Sequence, residues 1–97
     1  MDRPTATFSF GPEVPMTDAE ATLRLAALAV ESLHGADRIQ LELHVRVERE
    51  ERRFVVDTAT DVGRTLAVIF SGYARREFGD DAVRVTTGAL AAAGGGK

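Results

Sequence analysis

The 97-residue sequence contains no cysteine and no tryptophan, and only 6% of its residues are aromatic. Without cysteine, a disulfide framework, a thiolate nucleophile and thiolate metal ligands are all excluded. The longest apolar run, Leu25 to Val30, has six residues, whereas a membrane-spanning helix needs roughly 20. The first residues form neither a basic region nor an apolar stretch, so no secretory signal is expected. We therefore expect a cytoplasmic protein without a membrane partner.

Neither sign of charge dominates the chain. Twelve basic residues oppose 15 acidic ones, which gives a net charge of −3. This balance removes the bulk attraction on which nucleic-acid binding usually depends, so no nucleic-acid partner is predicted. The glycines form neither a dinucleotide-binding motif nor a P-loop, and no carboxylate spacing resembles an ordered calcium loop. The sequence therefore predicts neither a cofactor nor a metal ion.

The first half of the chain predicts a strand, a helix and a second strand. Apolar and polar residues alternate from Thr5 to Phe10, which is typical of a strand. Thr17 and Glu20 form a capping-box pattern that starts a helix, and this helix is expected to run to about His34. From Arg38 to Glu48 the pattern alternates for eleven residues, which predicts a long strand with one wet face.

The second half adds a strand, a helix and a last strand. Phe54 to Val56 has strand character, Asp61 is the expected N-cap of a helix ending at Phe78, and Ala82–Thr87 completes the series. The order β-α-β-β-α-β predicts an α+β, two-layer, ferredoxin-like domain. Its four-stranded antiparallel sheet should have the order 4-1-3-2, with both helices on one face. We expect this domain to span residues 1–87, with residues 88–97 as a flexible Gly/Ala-rich tail.

The first predicted helix carries more apolar residues than covering a sheet requires. On a helical wheel they fill an arc of roughly 220°, against a little over 100° for a helix that only covers a sheet. If the side with Leu25 and Leu28 faces the sheet, the rest of the arc is a surface for a second copy or another protein. The predicted interface residues are Leu23, Ala26, Val30 and Leu33, with Val68 of the second helix. The alternative is that the N-terminal loop or the tail covers this arc.

No catalytic constellation is evident. His34 is expected to interact with the carbonyl groups at its helix end, and His44 to lie solvated on a sheet. Neither has the serine and carboxylate neighbours that nucleophilic catalysis needs. The sequence thus predicts a non-enzymatic protein–protein interaction module that self-associates through its first helix. The alternative is a regulatory domain that binds a small ligand near Gly11 and the segment from Thr58 to Arg64.

Overall fold

The computed structural model describes residues 3–90, which form one antiparallel sheet and three helices. The elements, in chain order, are β1 (Arg3–Phe10), α1 (Met16–His34), α2 (Ala36–Glu42), β2 (Val45–Glu48), β3 (Arg53–Asp57), α3 (Asp61–Phe78), a 3₁₀ turn (Asp80–Ala82) and β4 (Val83–Leu90). The α+β class and the four-stranded antiparallel sheet are confirmed. The order of elements is not the predicted one, because two consecutive helices separate β1 from β2.

The sheet has the strand order β2-β3-β1-β4. β1 lies between two antiparallel neighbours, with Thr7 opposite Val55 of β3 on one side and opposite Thr86 of β4 on the other. β2 pairs with β3 over four residues. Because side chains alternate between the two faces of a strand, this register decides which residues of all four strands share a face.

Four phenylalanines hold the sheet and the helices together. Phe8 and Phe10 of β1, Phe54 of β3 and Phe70 of α3 lie almost entirely inside the core. The rings of Phe8 and Phe70 meet edge to face with centroids 4.9 Å apart, and those of Phe10 and Phe54 are 5.0 Å apart. Edge-to-face contacts at this distance are favourable beyond the burial of their area. The cluster therefore fixes α3 against the two central strands.

The long strand predicted for residues 38–48 is wrong. Its first part is the helix α2, and only Val45–Glu48 is a strand. Ile39 and Leu43 pack against the core, whereas Leu41 is 75% exposed. An alternating sequence can also place two apolar residues four apart, which is the spacing of one helix face. Arg38 and Glu42 share that spacing and form a two-bond ion pair at 2.8 and 3.0 Å, which favours the helix.

The start of α1 also differs from the prediction. Thr17 forms no capping box, because Pro15 occupies the N-cap position without a side-chain hydrogen bond. Glu20 instead accepts a hydrogen bond from the guanidinium of Arg49 at 2.7 Å, in the turn between β2 and β3. None of the helices within residues 3–90 combines the length and the apolar composition that crossing a bilayer requires.

The last strand extends beyond the predicted domain boundary. β4 continues to Leu90, and Gly88 lies opposite Thr5 of β1. Residues 88–90, which were assigned to the flexible tail, thus belong to the sheet, because β1 begins at Arg3 and offers pairing partners up to Leu90. The remainder of the predicted tail, residues 91–97, lies outside the described residues.

Arg52 connects two loops at one end of the sheet. It has a positive φ of 57°, in the left-handed region that non-glycine residues seldom adopt. Its half-buried guanidinium donates hydrogen bonds to the carbonyl oxygens of Phe10, Gly11 and Val14. These bonds join the β2–β3 turn to the loop between β1 and α1, and they offset the backbone strain at Arg52.

The start of α3 lies very close to the end of β3. Thr60 is the N-cap, and its hydroxyl accepts a hydrogen bond from the Gly63 N–H at 3.0 Å and donates one to the Glu42 carbonyl at 2.9 Å. A Cβ atom at Gly63 would lie 1.8 Å from the carbonyl oxygen of Asp57. Only glycine therefore allows this approach of helix to strand.

Replacing Gly63 with alanine should destabilise the domain by about 3 kcal/mol, because backbone atoms would have to move apart. Gly72 of the same helix is the matched control, since a Cβ there meets no heavy atom within 4 Å. Gly72→Ala should stabilise by about 0.5–1 kcal/mol through helix propensity. Urea unfolding of both variants measures these effects, and equal stability of the two variants would contradict the close approach.

Candidate functional site

The inward side of α1 is not the side that the sequence indicated. Ala19, Ala26 and Val30 have no accessible surface and belong to the core. This corrects the assignment of Ala26 and Val30 to an interface, because neither has surface to offer a partner in the folded domain. Leu23 is half-buried and packs against the core. The physical reason is volume: the phenylalanines fill the interior, so α1 approaches them with small side chains.

The large side chains of α1 point outward instead. Leu25 is 59% exposed and Leu28 is 60% exposed, and Ala21 is exposed one turn before Leu25. These three residues follow the spacing of one helix face, and this face lies opposite the buried one. Leu33, near the C-terminal end of α1, is 68% exposed, as the interface prediction requires.

α3 presents a similar outward residue beside α1. Val68 is 74% exposed, while Val62 and Leu66 on the inward side have no accessible surface. The two helices pack against each other, and both bury residues in the same core. Their outward residues therefore contribute to one surface. We call Ala21, Leu25, Leu28 and Val68 the outer helical patch.

His34 connects the three helices rather than capping α1. Its Nε2 lies 3.0 Å from the Thr65 hydroxyl of α3, and its Nδ1 lies 3.3 Å from a guanidinium nitrogen of Arg38 in α2. Because a guanidinium can only donate, Nδ1 accepts and Nε2 carries the proton. The predicted interaction with the carbonyl groups of its own helix is thus replaced by a bridge between helices.

The second surface is the face of the sheet that points away from the core. The strand register places on it short polar and charged residues and no aromatic ring. We call it the polar sheet face; it consists of Arg3, Thr5, Thr7, Ser9, Arg46, Glu48, Arg53, Val55, Asp57, Arg84, Thr86 and Gly88. Without aromatic rings, this face lacks the stacking platform with which similar sheets bind RNA bases.

A cavity of about 320 Å³ lies on the polar sheet face, toward the start of β2. Thr5 and Val55 are each 8% exposed and form its base. Arg3, Arg46 and the exposed His44 surround them. The backbone of His44 accepts a hydrogen bond from the Asp57 N–H at 2.9 Å, which brings the segment before β2 alongside β3.

Asp57 is the carboxylate of this cavity, and it remains ionised. Burial alone would raise the pKa of Asp57, but the Ala59 N–H at 2.8 Å and the Arg3 guanidinium at 2.6 Å outweigh it. The pKa of Asp57 is therefore lower than its ordinary value. Both carboxylate oxygens are occupied by protein donors, so this group acts as a structural anchor for Arg3.

The predicted ligand site near Gly11 and the segment from Thr58 to Arg64 is not formed. The Thr58 N–H donates to Pro4 at one end of β1, whereas the Gly11 N–H donates to Ala82 at the other end. At strand geometry this separates the two parts by about 23 Å. Gly11 does line a second cavity of about 280 Å³, together with Ser9, Asp81 and Arg84, but the loop before α3 has no part in it.

Within residues 3–90, no three His, Asp or Glu side chains come together in a way that could hold a metal ion. Neither histidine of that segment hydrogen-bonds to a serine or a carboxylate. Comparisons with protein-family models, with curated proteins and with solved structures give no match for this chain. Functional inference therefore depends on the two surfaces themselves.

Replacing Asp57 with asparagine should destabilise the domain by about 1 kcal/mol at neutral pH, because a charge-assisted hydrogen bond is lost. A carboxylate with a lowered pKa stabilises above its unfolded pKa and loses this effect as the pH falls through its folded pKa. The difference between wild type and Asp57→Asn should therefore shrink as the pH falls below about 5, toward and past the ordinary aspartate pKa of about 3.9. Urea unfolding at several pH values measures it, and a difference that stays constant would contradict the charge effect.

Proposed function

We propose that the protein is an interaction module that self-associates through the outer helical patch, with a second copy of the chain as its partner. The observation that carries the proposal is the exposure of Leu25, Leu28 and Val68, each more than half exposed on two adjacent helices. The core is closed without them, since the fully buried residues already include Phe8, Phe54, Phe70 and Leu66.

The energy available from these side chains is comparable to the cost of association. Burying a leucine or valine contributes about 1.5–3 kcal/mol. A symmetric pair would bury six such side chains from the outer helical patch, or on the order of 9 kcal/mol. The lost freedom of two molecules costs about 4–15 kcal/mol. Burial of these side chains therefore offsets the lower part of that cost, and the rest of the interface must supply the affinity.

The helical surface also approaches the area that a stable dimer needs. At 1.5 Å per residue, α1 and α3 are each about 28 Å long, and with widths of about 10 Å they present roughly 560 Å² in projection. A standard interface buries about 800 Å² per partner. α2 continues this surface with Leu41, which is 75% exposed. The seven residues of α2 bring the projected area of the three helices to roughly 670 Å², so adjoining loops would have to supply the remainder.

Charge distribution favours a second copy as the occupant. α1 contains three carboxylates and one arginine, whereas α3 contains three arginines and two carboxylates. A two-fold axis that places α1 of one copy on α3 of the other would pair unlike charges twice, because each contact of a two-fold interface occurs in both directions. The same helix placed on itself would bring like charges together.

We also infer that the architecture is ferredoxin-like, with α2 as an addition to it. The strand order and the shared core of α1 and α3 support this inference. A small-ligand function remains the second candidate, and the cavity on the polar sheet face is the observation that favours it.

Replacing Leu28 with glutamate should weaken self-association by at least about tenfold without unfolding the domain, because an exposed apolar side chain becomes a charge. Light scattering after size-exclusion chromatography, at several concentrations, measures the mass. Wild type should approach twice the 10.4 kDa chain mass as concentration rises, and Leu28→Glu should remain monomeric. A wild type that is monomeric at every concentration would contradict the proposal.

Two further variants separate the interface from the core. Thr86→Glu adds the same charge to an exposed residue of the polar sheet face and should dimerise like wild type. Val30→Glu should fail to fold, because it places a charge at a position without accessible surface. A folded, monomeric Val30→Glu would instead return Val30 to the interface and contradict the proposed patch.

A further inference from the structure

We propose that the cavity on the polar sheet face binds a small organic anion that also carries a compact apolar group. The site consists of Arg3 and Arg46 as charged contacts, His44 beside them, and Thr5 and Val55 as its base. Its volume of about 320 Å³ is at the lower end of the range for ligand pockets, about 300–1,000 Å³. The ligand should therefore be small.

The charge of this face points to an anion. The polar sheet face carries four arginines against two carboxylates, although the chain as a whole has a net charge of −3. Positive charge is thus concentrated on one side of an acidic protein. A surface whose sign opposes that of the whole molecule attracts ligands that the rest of the surface repels.

Both arginines at the cavity keep donors available. The Nε of Arg46 bonds to Glu48 and the Nε of Arg3 bonds to Asp57, each at 2.6 Å. A guanidinium has five N–H donors, and within residues 3–90 neither of these two makes a further hydrogen bond. Both side chains are 53% exposed, so their outer nitrogens can reach a ligand. The Arg3–Asp57 pair is close to neutral, so Asp57 does not repel an anion strongly and Arg3 contributes through its outer N–H donors.

The base of the cavity accounts for the apolar part of the ligand. Val55 is almost buried but lies on the polar sheet face, apart from the hydrophobic core. Leu43 and Val45 also line the cavity. Val55 and the methyl group of Thr5 thus offer a small apolar surface within reach of Arg46, which lies opposite Val55 in the register.

This site is independent of the proposed self-association. The outer helical patch and the cavity lie on opposite layers of the domain, and they share no residue. Leu28→Glu should therefore weaken dimerisation while ligand binding persists, so failure of one proposal leaves the other standing.

The experiment is a titration of the ¹⁵N-labelled full chain, followed by ¹H–¹⁵N NMR, with benzoate, phenyl phosphate and neutral benzyl alcohol as probes. We expect saturable shifts of the Thr5, His44, Arg46 and Val55 amides, with a Kd near 1 mM for at least one anion. The neutral probe should bind at least about tenfold more weakly. Benzoate and phenyl phosphate distinguish a carboxylate from a phosphate ligand. The absence of saturable shifts with either anion would overturn the proposal.

Matched variants test the location of the site. Arg46→Gln should weaken binding by about tenfold, whereas Arg84→Gln, which removes the same charge from the same face outside this cavity, should bind like wild type. Equal losses in both variants would mean general attraction to a basic face and would overturn the site. A single-stranded oligouridine that shifts the whole face, Arg84 included, more strongly than the small anions would also overturn it, in favour of a nucleic-acid surface.

Discussion

The cluster of Phe8, Phe10, Phe54 and Phe70 is the constraint on which the rest of the domain depends. Four aromatic rings pack together between the sheet and the helices, so the positions of α1 that face this core take small side chains, while α3 still buries Leu66. That requirement explains why α1 presents Ala19 and Ala26 to the core. It also explains why Leu25 and Leu28 of α1 point outward. The side chains that fill the core thus determine which apolar residues of α1 remain exposed, and the outer helical patch is a consequence of the aromatic core.

The sequence predicts the fold well in segments whose apolar pattern is compatible with a single type of secondary structure. β1 and α3 have nearly the predicted bounds, because alternation ends at Gly11 and the helix ends at Gly79, which has a φ of 95°. The segment from Arg38 to Leu43 could not be assigned correctly, since Ile39 and Leu43 fit one helix face as well as alternate strand positions. The missed signal was the ion-pair spacing of Arg38 and Glu42.

The candidate surfaces were harder to locate than the elements that carry them. When apolar residues fill more than half of a helix, the wheel does not show which part of the arc faces the core. The volumes of the side chains on the opposing sheet decide which part of the arc faces the core, and these contacts depend on tertiary packing. The cavity had no sequence signal, because Arg3, His44, Arg46 and Asp57 meet only through strand register. Most residues of the polar sheet face, in contrast, followed from alternation, but Arg3 and Gly88 lie outside the predicted strands.

The backbone conformation and the hydrogen bonds of Arg52 restrict which residue types this position accepts. The backbone there adopts a left-handed φ, which glycine and asparagine tolerate best. The three carbonyl groups that its side chain reaches require a long donor with several N–H groups. No residue type meets both requirements without strain. Glycine would relax the backbone and remove the guanidinium from all three carbonyl groups, although the Gly11 carbonyl keeps a donor in the Val14 N–H. Lysine would keep the strain and supply a single ammonium. The connection between the two loops is thus a compromise that few substitutions can reproduce.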